Sequence, residues 1–444
     1  MIQLRPYQTR FVNEIRQKLF QKERIIAAAA TGSGKTKCFI AISNMAIEKG
    51  KTVLIISETA KIFSQISKEI GNCINIESSV KTLEVKPVFI YVAMAQTLAK
   101  RQAIIEKFRE LAKDLIIIVD EAHIGTFSKL ISQFDQAYRI GFSATPDFRF
   151  AKHLPVLYND IVIGEQPQSL VESGFLSPYH HFERKVVDIK GLKKSSTGDF
   201  TEASQQNAFE KAVVYDGVFE DIEKFPYKKC MIFTASIQHA EDVSEKMRRQ
   251  GYKVATCHSK NPQSDYELFQ FMRHDSGIDI CISVASLTKG FDCPSVDLII
   301  LLRATLSLPL YLQMIGRGSR LCEFTNKKKF TVIDYGSNAT RHGLWSFEHD
   351  WVELWKGKPK VKGSGIAPVK TCPMCQYMMH TNIMTCPDCG FIFPVKKVDP
   401  KETELVEINT RYNSLRGRKI STLTASELSD YAKSTNKKAF AIRV

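Results

Sequence analysis

Three groups of residues in this 444-residue chain have types and spacing that could do chemistry. The first is Ala30-Thr31-Gly32-Ser33-Gly34-Lys35-Thr36. A glycine-rich turn between an apolar run and a helix start can aim backbone N–H groups at phosphate oxygens. Lys35 would then reach the β- and γ-phosphates, and the Thr36 hydroxyl would hold Mg²⁺. The pattern is G-x-x-x-x-G-K-[ST], with Ala29 in place of the first glycine. The second group is Asp120-Glu121-Ala122-His123. Asp120 can hold Mg²⁺, directly or through water, and Glu121 can polarise an attacking water. Acids also open helices, where they suit the dipole. Here the phosphate turn precedes them by one small domain, which favours the catalytic reading.

The third group is Cys372-Pro-Met-Cys375 and Cys386-Pro-Asp-Cys389, separated by ten residues. Two such knuckles can close four thiolates around one tetrahedral Zn²⁺. A closed Cys₄ set has no open position, so the site is expected to be structural. His380 lies between the knuckles and is read as a bystander.

These side chains need a rigid frame. Leu115–Val119 is a continuous apolar run, as expected for a strand covered on both faces of a parallel sheet. Carboxylates at the C-terminal end of such a strand sit where open α/β sheets bind ligands. Lys51–Ile56, Val88–Val92 and Arg139–Phe142 read as further strands of a first lobe. Lys229–Phe233, Asp279–Ser283 and Val296–Leu302 read as strands of a second, with Ile237–Arg249 an amphipathic helix and Val332–Gly336 closing the lobe. Strand–helix alternation implies parallel sheets with helices on both faces.

With these residues on the page, residues 1–345 resemble superfamily 2 helicases of the DEAD/DEAH-box type. The motifs come in the family order. Leu4-Arg5-Pro6-Tyr7-Gln8 resembles the adenine-reading segment, with Gln8 the base reader and Arg5 beside it. Thr31, Gly32, Ser33, Gly34, Lys35 and Thr36 form the phosphate loop, and Asp120 to His123 the box. Ser143-Ala144-Thr145 resembles the motif that couples hydrolysis to strand movement, with His123 its partner in coupling. Thr288 to Asp292, including Gly290, resembles the second-lobe motif that touches nucleic acid and nucleotide. Gln313 to Arg320 resembles the arginine-finger motif, with Gln313, Arg317 and Arg320 reaching across the cleft. Ile56 to Ala60 departs from the family's proline-and-arginine pattern, so the first-lobe strand contacts are not read from it. The layout, with a zinc ribbon after the second lobe, is similar to RadD-like bacterial proteins and to compact phage helicases that process branched DNA.

The expected architecture is therefore α/β. A RecA-like lobe over 1–165 binds ATP, and a second over 166–350 supplies the arginines. A linker over 351–370, a ribbon over 371–395 and a basic helical tail over 396–444 follow. In the tail, Thr424 to Glu427 fits a capping box. The polar stretch Asp188 to Asn207 reads as a surface insertion or lobe linker, with a DNA-touching loop as the other reading.

Composition agrees with a polyanionic partner. The net charge is +15, and 44% of residues are hydrophobic, as in globular cores. No apolar run reaches the roughly 18 residues of a spanning helix, and the N-terminus lacks a signal segment, so a cytosolic setting is expected, bacterial or inside an infected cell, with no membrane partner. The seven cysteines outside the knuckles read as reduced core residues. The activity implied is ATP- and Mg²⁺-dependent translocation on single-stranded, forked or branched DNA in replication, recombination or repair, with proteins of those processes as further partners. An ATP-switched recombination accessory factor and an RNA-remodelling enzyme stand as alternatives.

Overall fold

Apolar runs bounded by turn residues build two all-parallel sheets. The computed structural model describes residues 3–185, 187–189, 191–195, 198–284, 292–357 and 368–394. In lobe 1 the strands are β1 (Arg24–Ala28), β2 (Thr52–Ser57), β3 (Ile74–Ile76), β4 (Ile90–Met94), β5 (Leu115–Val119), β6 (Tyr138–Ser143) and β7 (Asp160–Ile163). Their order across the sheet is β3-β4-β2-β5-β6-β1-β7. Every residue of β2 and β5 is buried, because helices cover both faces. Three adjacent strands, β5, β6 and β1, end at the same edge. Beyond them lie the acidic box, Ser143–Thr145 and the phosphate loop. Backbone bonds lock these ends together: Ala29 N donates to Ser143 O at 3.0 Å, and Ala122 N to Phe142 O at 2.8 Å.

Lobe 2 holds β8 (Tyr179–Glu183), β9 (Lys229–Thr234), β10 (Val254–Cys257), β11 (Ile280–Ser283), β12 (Val296–Leu302) and β13 (Phe330–Asp334). Their order is β10-β11-β9-β12-β13-β8. The polar stretch before β9 is anchored to this lobe. Asp199 accepts hydrogen bonds from Thr305 Oγ1 and Leu306 N, both at 2.6 Å. Gln205, on the helix Glu202–Phe209, is buried and accepts from Ala304 N at 2.9 Å. Its charged appearance hid these two polar anchors, so the expected surface insertion is in part a packed element of the lobe.

All three tryptophans of the chain fall between residues 345 and 355, and all are buried. Trp345 packs edge-on against Tyr179 and Phe330 of lobe 2. Trp351 donates to Gln166 Oε1 at 3.2 Å, and Phe148 N of lobe 1 donates to Leu354 O at 3.0 Å. The helix Trp351–Lys356, expected as the start of a linker, is therefore a strap that returns from lobe 2 to lobe 1. Its aromatic residues bury too much apolar surface to trail in solvent.

The cysteine module also packs onto the body. β14 (Val369–Thr371) and β15 (Met378–His380) pair antiparallel. Tyr377 bridges to Phe182 of β8, and its ring meets His180 and Phe182. The module thus covers part of an otherwise open sheet edge. Chain contacts divide the protein into Met1–Ile392 and Phe393–Val444. The tail readings, including the helix at Thr424, lie outside the described residues. Five of the seven remaining cysteines are buried, while Cys73 and Cys322 are half-buried. Among the described residues no helix is long and apolar enough to cross a membrane.

Candidate nucleotide site between the lobes

The phosphate loop leaves β1 and enters the helix Lys35–Glu48 through two left-handed glycines, Gly32 and Gly34, both at φ 82°. A side chain at Gly34 would collide with the Gln8 amide 2.4 Å away, so backbone freedom and space both require glycine there. Gln8 is buried, donates to Ser33 O at 2.8 Å and accepts from Arg5 N at 2.9 Å. Tyr7 OH donates to the same carbonyl at 2.8 Å. The structure thus places Gln8 as a brace of the loop. Arg5 is exposed and stacks over Phe175 at 4.9 Å.

Glu121 adopts φ 50°, a left-handed conformation costly for a residue with a Cβ, on the order of 1–3 kcal/mol. Successive side chains of an extended strand point to opposite faces. The twist at Glu121 breaks that alternation, and both Asp120 and Glu121 line the same cleft. Glu121 Oε1 lies 3.6 Å from Lys35 Nζ, and Oε2 lies 3.3 Å from His123 Nδ1. Burial alone would raise the Glu121 carboxyl, but Lys35, helped by His123 and Arg317, overcomes it and holds the group below the ordinary carboxylate range. Asp120 goes the other way. Burial first, and the Glu121 charge second, push it up against the pull of Lys35. Two adjacent carboxyls, Asp120 buried and Glu121 half-buried, with Asp120 resisting ionisation, fit residues that would hold a divalent cation.

Lobe 2 completes the cleft. Gln313, Arg317, Arg320 and Asp292 line it together with Thr31, Gly32, Gly34, Lys35, Thr36, Asp120 and Glu121, around a cavity of about 270 Å³. The helix Leu308–Gly316 is capped by Ser307 and ends against the phosphate loop; a Cβ at Gly316 would strike Thr31 at 2.8 Å. Arg317 is buried and its guanidinium is lowered to about 10 by burial first and then by Arg320, so it stays protonated near neutrality. Arg320 pairs with Asp292. Gly290 lies outside the described residues.

A hydrogen-bonded chain crosses between the lobes. Gln313 Nε2 lies 3.4 Å from His123 Nε2, and the other ring nitrogen is Nδ1. That nitrogen lies 3.1 Å from Ser143 Oγ, and Ser143 Oγ in turn accepts from Thr145 N at 3.1 Å. Ser143 and Thr145 are buried.

Several cleft residues were not read from the sequence. Lys37, Ile62, Gln65 and Glu69 line it, and Gln65 donates to Glu69 at 3.0 Å. Their only signal was the i, i+4 spacing of two polar residues on a helix, which ordinary surface helices share. Tyr7 could have been found as the neighbour of Gln8.

In the cysteine module the Sγ atoms of Cys372, Cys375, Cys386 and Cys389 all lie within 4.8 Å of one another. The pairs Cys372–Cys389 and Cys375–Cys386 are 3.6 Å apart. Zn–S bonds of about 2.3 Å at tetrahedral angles require S–S edges of about 3.8 Å, so the thiols fit zinc closely. His380 instead meets Asn382 at 2.7 Å.

Comparison with known proteins agrees with this geometry. Residues 1–148 match the family model described as Type III restriction enzyme, res subunit, and residues 213–322 match that described as Helicase conserved C-terminal domain. A 51.5 kDa protein of a Lactococcus phage (isolate 7-9) is 26% identical over 385 residues, 85% of this chain and 81% of that protein. The Type I restriction enzyme EcoKI endonuclease subunit of Escherichia coli (strain K12) is 24% identical over 407 residues, 74% of this chain. The chain spans 34% of that subunit's length. In fold, the chain is similar to a fragment described as an HsdR subunit of a type I restriction enzyme from Vibrio vulnificus YJ016. The TM-score is 0.61 at 22% identity, over 80% of this chain and 67% of that one. The two family matches lie on either side of one interlobe cleft, and together they support an ATP-dependent helicase or ATPase acting on nucleic acid.

Proposed function

We propose that this protein is an ATP-driven DNA translocase that opens forked or branched DNA, in the manner of the RadD-like and phage helicases its layout resembles. The observation that carries the reading is the cleft itself. Its acidic and lysine side chains come from lobe 1 and its guanidinium groups from lobe 2.

In the proposed reaction the loop amides, Lys35 and Thr36 hold the triphosphate while Gln8 braces the loop and Arg5 lies toward the adenine, and Asp120 with Thr36 would hold Mg²⁺. The metal, when bound, neutralises charge on the phosphate oxygens. Glu121 accepts a hydrogen bond from the attacking water and orients it at the γ-phosphorus. Arg317 and Arg320 stabilise the charge on the transferring phosphoryl group, a role worth roughly 10³–10⁵ in rate in related NTPases. Since these arginines belong to the other lobe, hydrolysis requires closure, and His123, Ser143 and Thr145 report the nucleotide state to Gln313. Alternate closure and opening moves the strand. The cysteine module would hold Zn²⁺ as a structural ion. DNA is favoured over RNA by the restriction-enzyme likenesses on both sequence and family level.

The test is a panel of single-stranded, forked, three-way and four-way DNA, with RNA of equal length. The proposal expects ATPase stimulation by DNA above RNA and strand displacement on forks or junctions by the purified chain. ATPase without any displacement supports an accessory factor instead, and preference for RNA supports the remodelling alternative.

A further inference from the structure

Lobe 1 has a second groove, at the end of its sheet opposite the nucleotide. It lies between the C-terminal turns of the helices Pro6–Lys22 and Lys35–Glu48 and the starts of β5 and β6. Leu19, Phe20, Ile42, Met45, Ile116 and Tyr138 form its floor and walls, around a cavity of about 110 Å³. Phe20 follows Gln8 by twelve residues on one helix, so it sits about 18 Å along the axis from the phosphate-loop brace.

Phe20 is 69% exposed. Its ring is continuous with the apolar groove and so extends the apolar surface open to a partner. The rim is basic. Arg16, Lys49 and Lys51 border the groove. Lys49 Nζ lies 5.2 Å from the centre of the Phe20 ring, while Lys51 and Lys113 approach the Tyr138 ring at 6.0 and 5.2 Å. Lys51 and Lys113 already pair with Asp114 and Glu23. Among the described residues, Arg16 and Lys49 meet no carboxylate, so two cations at the groove remain to be matched.

We propose that this groove docks an acidic, amphipathic peptide segment of a partner protein. Two or three apolar side chains of the segment fill the groove against Phe20, Met45 and Tyr138, and its carboxylates pair with Arg16 and Lys49. A second copy of the chain fits poorly. A two-fold interface would bring the same uncompensated cations face to face. Nucleic acid fits poorly as well, since two free cations are few for a phosphate backbone and the apolar floor would stay unpaired. The groove lies away from the nucleotide cleft, so docking leaves the ATPase free to run.

The experiment selects displayed random peptides on the full-length protein, with counter-selection on the double variant F20A/K49E. An enriched peptide is then synthesised and its binding measured by fluorescence anisotropy at two salt concentrations. Because Phe20 and Lys49 are exposed, the variant should keep wild-type ATPase, which doubles as the folding control. The proposal expects enriched sequences to combine Asp or Glu with aromatic or aliphatic anchors, to bind at least about tenfold more weakly to the variant, and to weaken with salt. It is overturned by no enrichment, by sequences without an acidic bias, by equal binding to the variant, or by a wild-type dimer in sedimentation that the variant abolishes. Loss of DNA affinity in the variant, with peptide binding unchanged, overturns it in favour of a nucleic-acid surface.

Discussion

The side-chain amide of Gln313 lies 3.4 Å from Nε2 of His123, across the boundary between the lobes. On its other side the same ring reaches both Glu121 and Ser143. One histidine therefore touches Glu121, Ser143 and the facing lobe. In the proposed mechanism His123 is where chemistry becomes movement.

Gln313→Ala should separate the two. Losing one hydrogen bond costs about 0.5–1.5 kcal/mol, so ATPase should fall by about tenfold or less. Strand displacement per ATP hydrolysed should fall further. Parallel ATPase and fork-unwinding assays give the ratio; an unchanged ratio would mean the contact does not transmit movement.

Arg317→Ala should act on chemistry alone. ATP affinity should change little, whereas kcat should drop by about 10³-fold or more. A variant that hydrolyses at the wild-type rate would show that Arg317 serves only to hold the cleft together. Arg317→Lys should recover little, since lysine lacks the planar fork.

Much of this was readable in advance. β5 is apolar throughout, and β2, β9 and β12 each carry a run of four or five apolar residues (Val53–Ile56, Cys230–Phe233 and Leu298–Leu302); such runs have few other uses in a chain this polar. The short strand Ile74–Ile76 and the mixed Tyr179–Glu183 gave no such signal. The latter is an edge strand, and its His180 faces Tyr377 and Asp388 of the cysteine module, a neighbour that appears only after folding. Lys35, Asp120 and Glu121 could be named because phosphate chemistry restricts residue type. Gln65 and Glu69 could not, because their role depends on where a helix lands after folding. The tryptophan strap was hidden for the same reason.

Metal content is directly measurable. One Zn²⁺ per chain is expected, released by a thiol-modifying reagent. Because the module covers the β8 edge, Cys386→Ser should lower the melting temperature of lobe 2 as well as release the ion. A metal-free protein with an unchanged melt after chelation would contradict this.

Acid should unfold the protein early. His239, His342 and His349 are each pushed down to about 4, in every case by burial first. In the unfolded chain they titrate near 6.5. Their folded values are depressed, so the unfolded state binds more protons between about pH 6.5 and 4, and stability falls as pH falls through that window. Above it the contribution is constant. Thermal melts at a series of pH values should show the decline, and His239→Gln should flatten it by a part on the order of a few kcal/mol.

The central claim is that hydrolysis in the interlobe cleft drives strand separation. The most direct measurement compares wild type and Glu121→Gln on a forked DNA at saturating ATP, with nucleotide binding followed in parallel. The account predicts that the variant binds ATP as tightly as wild type but hydrolyses it far more slowly and leaves the fork closed. A variant that binds ATP and opens the fork at the normal speed would contradict it.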